Sequence, residues 1–446
     1  MSTYVDSMVL PDDQVVTAEP PRRRWSPATR VAFRFCFVYF LSFCLSVELV
    51  TVWWGGFLTK DAGERVIGWE SRQLSPIVAW VGAHVFGVRS QYHPSRGGDI
   101  MYYWVWVFCL LVLAAVATVV WSVLDRRRVR YPVLHTWFQV FLRICLASQM
   151  FYYGTIKVFP IQMRFELARM VEPWGDFSPM SVLWQQVASS RPYEMSLGAA
   201  EIVAGLLLIV PRVAPLGAVL SAVSMLQVFL LNLSFDVPVK LYALHLLLIA
   251  VVLAAPHLRR LMEVFVSDHP VERPREHALF GTARANRIAV GAQVLLGIWI
   301  LAALVDRGWT ITRQEEPRSP LYGIWDVAEY SVAGQELPPL ITDTQRWRRI
   351  VFDDVPAQTS VQSMNDSLTR YRADVDQDRH TLSLTDPGSH ARLCVLTYTR
   401  PRPDRLTLDG QLDGRPVHMA LELLDLQKFP QLSRGFHWVQ EDQYKH

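Results

Sequence analysis

The chain has 446 residues, of which 51% are hydrophobic and only 19% charged, with a net charge of +3 and a mean hydropathy of +0.16. Soluble domains average about 25% charged residues, and here the deficit is confined to apolar runs between about Val31 and Val305. This excludes a wholly soluble protein, and the absence of a basic stripe interleaved with aromatics excludes a nucleic-acid binder. A polytopic α-helical membrane protein followed by a C-terminal antiparallel β barrel or sandwich is expected.

The first 30 residues are polar and carry Asp6, Asp12 and Asp13, so they read as a cytoplasmic tail rather than a cleavable signal. A span needs about 20 apolar residues. Seven stretches approach that length: Val31–Trp54, Tyr102–Leu124, Val133–Val158, Met195–Val210, Val213–Phe235, Leu241–Ala255 and Ile288–Val305. The first two form a unit over 31–132, the next four a core over 133–262, and residues 263–287 link the core to the seventh span at 288–305. Basic residues set orientation. Arg22, Arg23, Arg24 and Arg30 precede the first span, Arg126, Arg127, Arg128 and Arg130 follow the second, Arg212 follows the fourth, and Arg259, Arg260, Arg273 and Arg275 follow the sixth. A cytoplasmic N-terminus brings all of these to one side and leaves the C-terminal domain, residues 308–446, outside the cytoplasm. Two outer segments, Ser75–Val88 and Ser178–Ser189, are apolar but shorter than a span. Each begins with Ser-Pro, so both are expected as interfacial or re-entrant helices.

With this topology, polar groups from consecutive spans meet near the outer face. Lys157 ends the third span, Glu201 lies two turns into the fourth, Asn232 and Asp236 end the fifth, Lys240 opens the sixth, and His245 follows about a turn later. A charge at mid-bilayer costs about 2.5–3.5 kcal/mol on insertion scales and usually faces the bundle interior with a partner. Glu201 is the sharpest case: Gly198 and Gly205 line its helix face and permit close approach, and Lys157 or Lys240 is its expected partner. Arg143, Gln149 and Gln227 extend a polar path inward. Each group also has a structural reading, as a snorkelling lysine, an interfacial ion pair, an interhelical hydrogen bond or a packed histidine. The five cysteines, Cys36, Cys44, Cys109, Cys145 and Cys394, show no CxxC spacing, so no metal site or dithiol motif is expected.

At these residues the chain resembles the DoxX-like membrane family. "YGTIKVF" closes one span, "GAAEIVAGLLLIVPRVAPLGAVL" forms a Glu-bearing hairpin, and "LNLSFDVPVKLYALHLLL" leads into the last core helix. The resemblance covers about Val133 to Met262, and the same core is distantly similar to the membrane domain of vitamin K-dependent carboxylase-like proteins. It implies a four-helix bundle in a bacterial cytoplasmic membrane, with Lys157, Glu201, Asn232 and Lys240 at the positions of a family pocket. Some members are subunits of membrane oxidoreductases. The chain carries no haem, flavin or iron–sulfur sequence signature, so redox chemistry would involve quinone or a partner subunit.

From Gly308 the sequence turns polar. Its clearest signal is "RLTLDGQLDGRPVHMALELL", where the second Asp-Gly separates alternating Leu406/Leu408 from Val417/Met419/Leu421, a hairpin pattern. "YGIWDVAEYSVAG" is expected to start the domain, "RWRRIVFDD", "HTLSLTD" and "RLCVLTYTR" to add strands, and Phe436 and Trp438 to plug the barrel. His380, His390, His418, His437 and His446 are scattered without metal spacing.

Two functions compete. In the first, a quinone-facing oxidoreductase subunit, Lys157, Glu201 and His245 act in chemistry while Asn232, Asp236 and Lys240 bind the quinone. In the second, a scaffold in the lipid bilayer, the polar cluster is structural and the β domain docks an envelope protein or polysaccharide. Carboxylase-like chemistry with Lys157 as base is a third, weaker expectation, because it needs a desolvated lysine.

Overall fold

A computed structural model describes residues 25–45, 60–93, 98–266, 278–313, 318–353 and 357–441. The protein is a polytopic helical membrane protein carrying a closed β barrel. Its long helices are α1 (Pro27–Cys44), α2 (Lys60–Val81), α3 (Met101–Leu124), α4 (Pro132–Val158), α5 (Pro179–Ala188), α6 (Arg191–Ile209), α7 (Ala214–Ser234), α8 (Lys240–Val266) and α9 (Ala283–Arg313). Each expected span falls on one of them. The end of the first span, the arginines at 22–24, 273 and 275, and His446 lie outside the described residues.

Among the described residues, five segments are long and apolar enough to cross a membrane: Met101–Leu124, Arg191–Ile209, Pro211–Ser234, Lys240–Leu258 and Ala283–Arg313. Helix α4 has the length, at 27 residues, but His135, Gln139, Arg143, Gln149 and Lys157 dilute its hydropathy. The reason is position. It packs against α6, α8, α9 and α1 and buries residues all along its length, including Phe138, Leu142, Met150 and Phe151, so it faces protein more than lipid. Helices α4, α6, α7 and α8 form a four-helix bundle, with α1 and α3 on one flank and α9 on another.

Glycines set the bundle's tightest contact. A Cβ on Gly154 would lie 2.7 Å from the Gly198 carbonyl oxygen, and one on Gly198 would lie 2.5 Å from that of Gly154. Gly205 receives the Phe151 ring in the same way, 2.5 Å from a notional Cβ. Small residues let membrane helices approach to backbone contact. At the opposite end of the bundle, buried Arg34 ties α1 to the α3–α4 turn. Its guanidinium donates to Ser122 Oγ (2.8 Å), the Asp125 carbonyl (2.9 Å) and Tyr131 Oη (2.6 Å), and the Tyr131 hydroxyl donates to Asp125 Oδ2 (2.9 Å).

The two short apolar segments that open with Ser-Pro differ. Ser178 caps α5 as expected, accepting the Ser181 N–H at 3.2 Å. Ser75–Pro76 does not start a helix: α2 runs from Lys60 through Pro76, and its last turns widen into a π-helical stretch, Gly82–Phe86. A Ser-Pro pair reads the same at a helix start and within a helix when the preceding residues also favour helix, as "ERVIGWESRQL" does.

The C-terminal domain has strands β1 (Gly323–Val332), β2 (Gln335–Glu336), β3 (Trp347–Phe352), β4 (Gln358–Ser363), β5 (Leu368–Asp376), β6 (Thr381–Thr385), β7 (Arg392–Arg402), β8 (Arg405–Leu412) and β9 (Arg415–Leu423). Each pairs antiparallel with its neighbour, and β1 pairs with both β3 and β9, which closes an eight-stranded barrel with β2 as a short appendage. The second Asp-Gly makes the β8–β9 turn: Asp413 and Gly414 have φ of 51° and 74°, the left-handed pair that a two-residue hairpin requires. Strand β4 was not legible, because "QTSVQS" lacks apolar alternation and buries Thr359, Ser360 and Gln362; β5 does alternate, with Tyr371, Ala373 and Val375 toward the core, but was not among the expected strands. The barrel is solid, filled by Trp325, Tyr330, Phe352, Leu396, Leu408 and Met419. The expected plug is corrected: Phe436 and Trp438 follow the last strand and are 76% and 91% exposed, while Trp325 and Tyr330 on β1 occupy the interior.

Gly198→Ala is expected to lower the thermal stability of detergent-solubilised protein by at least about 1–3 kcal/mol, the cost of overpacking. Gly291→Ala, on α9 with open space around it, is expected to leave the melting temperature unchanged.

Candidate functional site

The Gly154–Gly198 contact fixes where the ends of α4 and α6 meet. Lys157 lies one turn beyond Gly154, and its Cβ rests 2.8 Å from the notional Cβ of Gly198. Glu201 lies almost one turn beyond Gly198. The lysine therefore crosses to the carboxylate, and Nζ donates to both Oε1 and Oε2 at 2.7 Å. Both side chains are buried, at 6% and 3% exposure. The ammonium also stands 5.7 Å from the Tyr153 ring centroid, a cation–π distance. The expected choice of partner for Glu201 thus falls on Lys157.

This pair forms part of the wall of a cavity of ≈ 170 Å³ lined by α4, α5, α6, α7, α8 and the loop after α4. Its apolar lining includes Met163, Leu183, Leu197, Met225 and Leu246. Its polar lining includes Tyr153, Gln162, Trp184, Gln227, Asn232 and Tyr242. Gln227, expected on the inward path, is here. Gln149 lies behind the wall and accepts the Tyr242 hydroxyl at 2.8 Å, while Arg143 donates to the Leu208 carbonyl at 2.8 Å and braces α4 on α6.

Three of the six expected site residues line the cavity: Lys157, Glu201 and Asn232. Asn232 is 5% exposed, and its Nδ2 reaches the Val239 carbonyl only at 3.4 Å. Asp236 and Lys240 do not join them. The chain turns after α7 with Asp236 in a left-handed conformation, φ 50°, and Val237 and Val239 face the cavity instead. The Asp236 carboxylate, 82% exposed, pairs with Lys240 Nζ at 2.8 Å on the rim. His245 is also elsewhere. Its Nδ1 lies 2.6 Å from the Leu241 carbonyl and its Nε2 2.6 Å from Tyr39 Oη, and Phe43 stacks on the ring at 4.2 Å. A carbonyl only accepts, so Nδ1 carries a proton, and Nε2 of the neutral ring accepts from Tyr39. His245 links α8 to α1, on a different face of α8 from Tyr242 and Leu246.

Two residues outside the expected set matter. Glu194 has 0% exposure, and its Oε1 accepts the Met163 N–H at 3.3 Å. It stands seven residues before Glu201, two turns along the same face, but the expected fourth span begins at Met195, one residue after it, whereas the helix begins at Arg191. Asp99 caps α8 from the segment just before α3: Oδ2 accepts the Lys240 N–H at 2.8 Å and Oδ1 the Leu241 N–H at 3.0 Å. No local pattern signals a cap from 141 residues away. Among the described residues no group of three or more His, Cys, Asp or Glu side chains is arranged to hold a metal.

No family model matches the sequence, and no solved structure matches it. Over 132 residues the chain is 28% identical to "Uncharacterized protein YwoB" of Bacillus subtilis (strain 168), a stretch that covers 28% of this chain and 79% of that protein.

Removing one member of a buried ion pair strands the other, at about 3–5 kcal/mol. Glu201→Gln and Lys157→Met are each expected to destabilise the protein by about that amount. The double variant is expected to lose less than the sum, and a double-mutant cycle of melting curves reads the difference as coupling.

Proposed function

We propose that the cavity beside Lys157–Glu201 binds the ring of a quinone, and that the protein is a DoxX-like, quinone-interacting subunit of a membrane oxidoreductase. The observation that carries this reading is a desolvated ion pair in the wall of a ring-sized cavity. An apolar void of about 150 Å³ holds benzene, so ≈ 170 Å³ accommodates one substituted six-membered ring. Mostly apolar walls with a few polar groups suit such a ligand.

The residues divide the work by their hydrogen-bonding capacity. An ammonium has three donors, and Glu201 takes two of them. The third N–H of Lys157 remains for a quinone carbonyl oxygen, and the positive charge favours electron arrival on the ring. Asn232 Nδ2, held only by its 3.4 Å contact, is the second donor. Electrons are exchanged with a partner protein. The arginine clusters support a bacterial cytoplasmic membrane with the N-terminus inside and the barrel outside.

The scaffold reading draws on a different observation: the Lys157–Glu201 pair is already complete without a ligand, and the barrel is solid. In that case the pair serves to lock α4 on α6, and the barrel surface is the working part.

Organic extraction of protein purified in mild detergent separates the two. About one quinone per chain, lost from Lys157→Met/Glu201→Gln protein that remains folded, is the result expected for the quinone site. Equal and negligible quinone in both folded proteins favours the scaffold.

A further inference from the structure

Helix α4 ends at Val158 and α5 begins at Pro179, and residues 159–178 form a strap between them. The strap is part of the cavity and part of the barrel interface at once. On the bundle side Gln162 and Met163 line the cavity, and the Met163 N–H is held by Glu194. On the barrel side, Asp353 follows β3 directly and is 2% exposed. Its Oδ1 accepts the Leu167 N–H at 3.0 Å and its Oδ2 the Ala168 N–H at 3.3 Å. These are the first two amides of a 3₁₀ turn, Leu167–Met170, which lack partners within the turn. Gln362 of β4 donates to the Val171 carbonyl at 2.7 Å, and Arg370 of β5 pairs with Glu166 at 2.6 Å. Leu167 and Ala168 pack into one apolar cluster with Ile324 and Val351 of the barrel.

Two buried carboxylates therefore grip one short strap. Glu194 belongs to the bundle and Asp353 to the barrel, and the amides they hold, at Met163 and Leu167, lie four positions apart. Hydrogen bonds to an ionised acceptor are about twice as strong as neutral ones, and a bidentate grip on consecutive amides fixes direction as well as distance.

We propose that the barrel is the clamp of the membrane cavity, and that Asp353 is its positioning residue. By holding Leu167 and Ala168 it keeps Gln162 and Met163 in the cavity wall. Release of the strap from the barrel opens the way to Lys157 and Glu201. The inference needs only the wall's geometry and does not require the occupant to be a quinone.

The test uses the full chain in nanodiscs with Met163→Cys as reporter and a charged, membrane-impermeant maleimide as probe. Labelling of the peptide containing residue 163 is followed by mass spectrometry. Adding Asp353→Asn, which cannot accept two amides as a carboxylate does, is expected to raise the labelling rate on the order of tenfold, as loss of charge-assisted hydrogen bonds implies. Asp386→Asn, in an exposed barrel turn where Asp386 accepts from Gly388 and Ser389, is expected to leave it unchanged. Cys394 is an internal control: it is inside the barrel, and burial pushes its thiol up to about 11, so it stays unlabelled while the barrel is folded. An unchanged rate at residue 163 with Cys394 protected overturns the proposal. If Asp353→Asn exposes Cys394, Glu166→Gln/Gln362→Leu replaces it. The same rise is then expected, and no rise with Cys394 protected overturns the proposal equally.

Discussion

The contact between Gly154 and Gly198 determines what the membrane part can do. Two backbones touch, so the side chains one turn further on have nowhere to go but across the interface. There a lysine meets a carboxylate at 2.7 Å on both oxygens, shielded from water. Such a pair is costly to assemble and weak as a source of net stability, yet breaking it is expensive. A bundle built on it holds one register of α4 against α6, and the cavity beside the pair inherits that register. Alanine at either glycine would push the helices apart and change the cavity with them.

The barrel is joined to the bundle in two ways. Helix α9 leads into it covalently and packs on α4, where Gly308 receives the Phe159 ring, 2.6 Å from a notional Cβ. The strap reaches it through Asp353, Gln362 and Arg370. The first ends two residues beyond Lys157, at Phe159, and the second nine to fourteen residues beyond it, at Glu166 to Val171. The solid interior of the barrel gives the strap a rigid counterpart, which a ligand-filled barrel would not.

Legibility in the sequence followed the range of the interaction. Helices with continuous apolar runs announced themselves, and so did the Asp413–Gly414 hairpin, because a two-residue turn with positive φ admits few residue types. Glu201 stood out because a charge among Leu, Ile and Ala must have a partner. The choice between Lys157 and Lys240 was not legible: both lie near the right depth, and only the fold shows that Lys240 turns toward Asp236 and Asp99 instead. His245 misled for the same reason, since depth was readable and helix face was not. Strand β4 hid behind polar residues such as Gln362, whose burial depends on a partner in Val171, whereas β5 showed alternation in Tyr371, Ala373 and Val375 that a short polar-looking segment made easy to pass over. Asp353 looked like any acidic residue at a strand end, and its amides lie some 185 residues away.

The claim that most depends on this geometry is that a ring-shaped ligand occupies the cavity against Lys157 and Glu201. A cryo-electron microscopy map of the protein taken directly from its native membrane into nanodiscs tests it. The account predicts a flat, ring-sized density between the Lys157–Glu201 pair, Asn232 and Tyr242, continuing into a tail toward lipid. A cavity closed by its own side chains, or holding only a flexible acyl chain, would contradict it.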